Sequence, residues 1–129
     1  MVEEGLDQRG GLGLPEALRL IEREQYIAGQ VIRAERARLG LSQVEAGARS
    51  STSQNAASRV EGGLGSVSQL IIYASGVGVS AEVIAARILK ACQLRDSLRA
   101  HLPSSLSAGA EAALRSLVAE VCAAESPGG

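Results

Sequence analysis

Two short polar runs carry the chemistry of this chain. Ser42-Gln43 and Thr52-Ser53-Gln54-Asn55 each set a hydroxyl that can cap a helix beside amides that both donate and accept, and Ser58-Arg59 follows one turn later. Glutamine or asparagine can bond adenine at both N6 and N7, and arginine can grip a guanine or a phosphate. The spacing of the two runs suits a helix-turn-helix, whose second helix carries polar side chains into the DNA major groove. Enzymatic chemistry is not indicated. There is no serine nucleophile elbow, no phosphate-binding glycine loop with its lysine and no paired-carboxylate arrangement. The single histidine, His101, falls near the end of a long helical pattern, where a cation meets the negative end of the helix dipole. Cys92 and Cys122 stand apart with no CxxC, too few ligands for a metal; both read as small buried apolar residues. No cofactor is expected.

Capping signals outline the helices that must position these side chains. Pro15 suits the first turn of a helix in which Leu14, Leu18 and Ile21 recur at helical spacing. That helix runs to about Gln25, with a bend expected near Gly29 before the next helix begins around Val31. Gly40 ends this second helix, Ser42 caps the third, and Glu45 completes a capping box. Thr52 or Ser53 caps the helix that carries the polar face, and Gly62 and Gly63 break it. Ser66 caps a helix over about 67–76, and Gly78-Val79-Ser80 opens a long one from Ala81 to about Ala100. Pro103 stops it, and Ser105 or Ser107 opens a last helix with Leu114, Leu117, Val118 and Val121 on its apolar face.

From Ile32 to Gly63 the chain resembles, without a gap, the Cro-repressor (Xre-type) helix-turn-helix family, and more loosely on to Ser80. The resemblance implies an all-α fold: a five-helix lambda-repressor-like helix-turn-helix domain, here with an extra N-terminal helix and a C-terminal helical extension. With the acidic, glycine-rich start and the SPGG end read from composition, the chain is expected to divide into a flexible arm (1–13), an N-terminal helix (14–29), a DNA-binding domain (30–85), a dimerisation extension (86–125) and a disordered end (126–129). The resemblance implies base-reading roles for Gln54, Asn55, Ser58 and Arg59. Gln43, Ser42, Arg38, Arg49, Thr52 and Ser53 would contact phosphates or position the unit. Arg36 and Glu61 match a structural pair that holds the recognition helix against the scaffold. The chain departs from the family at Ala46, Gly47, Ser50, Ser51 and Ala57, each smaller or more polar than the usual core residue. Either these helices approach unusually closely, or the motif is degenerate and leans on other helices; close packing is the favoured expectation.

Composition agrees with helices. Apolar residues make up 46% of 129 residues, almost all small aliphatics, with aromatics at 2%. The net charge is only −1, but its distribution is uneven. Residues 1–29 carry three arginines against six acids, residues 30–63 five arginines against three acids, and residues 64–129 balance. The one net positive segment is the proposed DNA-binding one. No apolar run approaches the roughly 20 residues of a membrane span, no signal peptide is evident, and a cytoplasmic protein is expected. The leading expectation is a dimeric transcription regulator, probing double-stranded DNA as a repressor at a palindromic operator. Its dimer interface would be the apolar stripes of the last two helices, whose tail loosely resembles that of EspR-like regulators. The alternative for those stripes is that they fold back on the residue 15–25 helix within one monomer. The alternative function is an antitoxin-like or accessory module that clasps a protein partner through its helices, with a vestigial helix-turn-helix.

Overall fold

A computed structural model describes residues 13–102 and 105–124, and every regular element among them is a helix. The side chains of Ala119 and of 121–124 lie outside that description, as do residues 1–12, Pro103 and 125–129, so the expectations for the arm, the Pro103 stop, Val121, Cys122 and the frayed end fall beyond it. The elements are α1 (Leu14–Arg23), α2 (Gln25–Arg38), α3 (Gln43–Arg49), α4 (Gln54–Glu61), α5 (Val67–Val77), α6 (Ala81–Arg99) and α7 (Ala108–Ala124). Serines cap five of them. The hydroxyls of Ser42, Ser53, Ser66, Ser80 and Ser107 accept from backbone N–H groups three residues on, at 3.0–3.2 Å. At Ser42 the box is complete, because the Glu45 carboxylate accepts from the Ser42 N–H at 2.8 Å. That bond is also the main reason the Glu45 carboxyl titrates below its usual range.

Helix α2 is the central strut. On one side it meets α4 and α5, which also pack on α3; on the other it meets α6 and α7, with α1 laid along α6. The core runs through all of these contacts: Ile21, Ile27, Ile32, Val60, Leu70, Tyr73, Ile84, Ile88 and Val118 are fully buried. The bend expected near Gly29 occurs instead at Glu24, whose φ of −124° and ψ of 48° separate α1 from α2. Gly29 lies inside α2 and serves close approach. A methyl group there would sit 2.5 Å from the Val60 carbonyl oxygen and 2.7 Å from that of Glu61. Backbone cannot retreat as a side chain can. Gly29→Ala should therefore destabilise by about 1–3 kcal/mol, read as a lower urea midpoint; an unchanged midpoint would show that α2 and α4 can separate freely.

Small residues recur wherever α3 is crossed. Ala46 and Ala57 are fully buried, and Gly76 of α5 brings that helix against the Ala46 carbonyl and the Ser50 side chain. The helices approach closely at Gly47 and Gly76, beside the positions where the chain is depleted of bulk.

The apolar stripes of α6 and α7 are largely satisfied within the chain. Ile84 and Ile88 of α6 are buried where that helix meets α1 and α2, as expected for a fold-back on the residue 15–25 helix. Leu114 and Val118 of α7 are instead buried where it meets α2 and α6. Val83, Leu89 and Leu117 stay exposed. Cys92 is a free, half-buried thiol on α6, held protonated by burial and by the nearby Glu24 carboxylate. No single described helix is long and apolar enough to cross a membrane.

Candidate nucleic-acid interface

Helices α3 and α4 are joined by four residues, Ser50–Ser53, and the turn is closed by the Thr52 N–H donating to the Gly47 carbonyl at 2.8 Å. Gly47 is required here: a methyl group on it would sit 2.3 Å from the Thr52 oxygen. Ser51 takes the left-handed position with φ of 55°, the one non-glycine among the described residues to do so. A side chain there is strained. Ser51→Gly should raise stability by about 0.5–1 kcal/mol, seen as a higher melting midpoint, whereas a lower one would mean that the serine side chain holds the turn.

Helix α4 divides cleanly. Ala57, Val60 and Glu61 face inward, while Gln54, Asn55, Ser58 and Arg59 are all exposed. Ser53 caps this helix and is exposed at its start. Arg59 and Arg49 make no hydrogen bond or ion pair among the described residues, so their guanidiniums stand in solvent. The four side chains assigned to base reading thus form one unobstructed polar edge.

Behind that edge lies a compact network. The Arg36 guanidinium grips both Glu61 carboxylate oxygens, Nε to Oε2 at 2.6 Å and Nη2 to Oε1 at 2.9 Å, and its Nη1 donates to the Leu41 carbonyl at 2.8 Å. The Tyr73 hydroxyl donates to Glu61 Oε2 at 2.7 Å, and Gln43 Nε2 donates to Oε1 at 3.1 Å. Glu61 is only 4% exposed. Burial alone would push its carboxyl up, but the donors from Arg36, Tyr73 and Gln43 outweigh it and hold the group below the usual carboxylate range. Burial and the adjacent carboxylate push the Tyr73 phenol well above its ordinary value, so it remains a donor. One acid of α4 is thereby tied to α2, α3 and α5 at once.

Several of the assigned side chains are engaged within the chain itself. The Gln43 amide reaches Glu61 rather than projecting toward a phosphate. Thr52 is 7% exposed, and its hydroxyl is engaged with Ser50 Oγ at 3.0 Å and Gln69 Nε2 at 3.4 Å, which draws it into the turn and away from any phosphate. Arg38 is half in solvent but bonded to Glu35 Oε1 at 2.7 Å and 3.2 Å, so a phosphate would compete with that carboxylate. Ser42 is exposed at the start of α3, its oxygen occupied by the cap.

Two features were not read from the sequence. Arg33 is exposed on α2 and lines a cleft of about 310 Å³ with Gln30, Arg36, Gln43, Ser58 and Glu61. It makes no hydrogen bond or ion pair among the described residues, which adds a third unengaged guanidinium beside α4. The net positive charge of residues 30–63 was the only signal for it. The second is Glu35, which is buried against Arg87 of α6 at 3.6 Å. Comparison with protein families, with curated proteins and with solved structures finds no match to this chain.

Proposed function

We propose that this chain is a sequence-specific DNA-binding regulator of the Cro-repressor (Xre-type) kind, built on a lambda-repressor-like helix-turn-helix. The observation that supports it is the division of α4: an exposed edge of Gln54, Asn55, Ser58 and Arg59 on a helix whose opposite face is locked by Glu61. A rigid helix presenting two amides and a guanidinium meets what major-groove readout needs. Arg33, Arg49 and Arg59 are exposed and supply phosphate attraction within the one net positive segment of the chain.

Repression at a palindromic operator follows from two such units placed about one DNA turn apart. Among the described side chains of the last two helices, Val83 and Leu89 on α6 and Leu117 on α7 are exposed and would supply contact between copies. Selection of bound sequences from a random duplex library tests the reading directly, since recovery of a consensus with regular half-site spacing supports both parts of it. Gln54→Ala or Asn55→Ala should then cost about 1–3 kcal/mol on that consensus and relax preference at one base pair. Failure to enrich any sequence, with binding that shows no steep salt dependence, would sink the proposal and favour the protein-binding alternative.

A further inference from the structure

A second cleft, of about 440 Å³, lies where the α1–α2 break meets α6 and α7, and it shares no lining residue with the cleft beside α4. Its wall is formed by Glu24, Arg95, Arg99, Glu111, Leu114 and Arg115, with two alanines of α7. Three guanidiniums thus face two carboxylates. The pairings are unequal. Arg99 Nη1 holds Glu111 at 3.1 Å, but both terminal nitrogens of Arg95 stand 3.5 Å from the Glu24 oxygens, long for a charge-assisted bond. Arg115 makes no hydrogen bond or ion pair to a carboxylate among the described residues, and its guanidinium carbon lies over the Tyr26 ring, 5.2 Å from the centroid.

The volume matches a small-molecule site, typically about 300–1,000 Å³. Its chemistry is legible from what it already holds. Guanidinium forks here receive two carboxylates from the chain itself, over a floor of Leu114 and alanine methyls. We propose that this cleft binds a short-chain dicarboxylate. One carboxylate engages Arg115, and the other takes the Arg95 fork as the loosely held Glu24 side chain turns to water. The apolar spacer lies against Leu114. Such a ligand would bridge α6 and α7 at the origin of α2, the helix that carries Arg36 to Glu61.

Calorimetric titration of the whole chain with glutarate tests this without reference to DNA. The expected result is a saturable heat together with a raised melting midpoint, by mass action on the folded state. Acetate and sodium chloride at matched ionic strength should produce neither. Arg115→Gln, an exposed change that should leave the melt in buffer near the wild-type value, is expected to weaken glutarate by about tenfold or more, and Arg95→Gln likewise. Arg115→Lys should recover only part, because it keeps the charge without the fork. No saturation with glutarate, equal binding by Arg115→Gln, or equally tight binding of inorganic phosphate would each overturn the dicarboxylate assignment.

Discussion

Glu61→Ala should lower stability by about 3–5 kcal/mol, the scale for breaking a buried charged pair by removing one partner. The change strands three donors at once. Arg36 is 16% exposed, and the buried Tyr73 hydroxyl donates to Glu61, so neither is fully repaid by water. Arg36→Ala should cost a similar amount for the converse reason, leaving a carboxylate 4% exposed with only neutral donors. The double mutant should lose less than the sum, since each single change already removes the shared interaction. Urea melts of the four proteins decide it, and strict additivity would show that the two side chains do not act as a unit.

The same network sets a pH dependence whose sign is fixed. The folded Glu61 carboxyl titrates below its unfolded value, so its contribution is fully present above the unfolded value of about 4.3 and is lost as pH falls through the folded one. Wild-type stability should therefore fall on acidification more steeply than that of Glu61→Gln. Parallel curves for the two proteins from about pH 5 to about pH 2 would refute the assignment.

Local signals were the legible ones. A serine followed three residues later by a free backbone N–H is decided within one turn, which is why the caps at Ser42 and Ser66 are legible in the sequence. At α4 the sequence leaves Thr52 or Ser53 open, and the structure selects Ser53. The helix ends at Gly40, Gly63 and Gly78 follow equally from residues in left-handed conformation. What escaped was tertiary. Gly29 reads as a hinge by composition, but only the α4 backbone lying against it shows that its missing side chain is for contact. Amphipathic stripes on α6 and α7 announce that something covers them; they cannot distinguish a second copy from α1 and α2 of the same chain. The exposed edge of α4 was legible because polar residues next to a buried Ala57 and Val60 leave one orientation for the helix. The roles of Gln43 and Thr52 were not, since whether an amide or hydroxyl turns inward depends on Glu61 and Gln69, which only the fold brings near.

Glu35 is the clearest case of a side chain whose sequence context misleads, and it carries the other large expected effect. A glutamate between arginines on a helix reads as part of a solvated face. In the structure it is 5% exposed, with Oε1 bonded to Arg38 and Oε2 placed 3.6 Å from the Arg87 guanidinium, itself 6% exposed. The pair joins α2 to α6. At that distance the attraction is weaker than in the Arg36–Glu61 fork, while both groups have left water, so burial weighs heavily against the pair as a whole. Removing one member is nonetheless the worse outcome. Arg87→Met should destabilise by about 1–3 kcal/mol, because Arg38 still holds Glu35 Oε1 but the buried Oε2 then faces an aliphatic chain. Glu35→Leu combined with Arg87→Met should recover most of that loss, since two apolar side chains of similar volume fill the same space between α2 and α6. Chemical melts of the wild type, the single and the double variant supply the test. A single variant as stable as the wild type, or a double variant no better than the single, would mean that Glu35 and Arg87 are not held together in the α2–α6 contact.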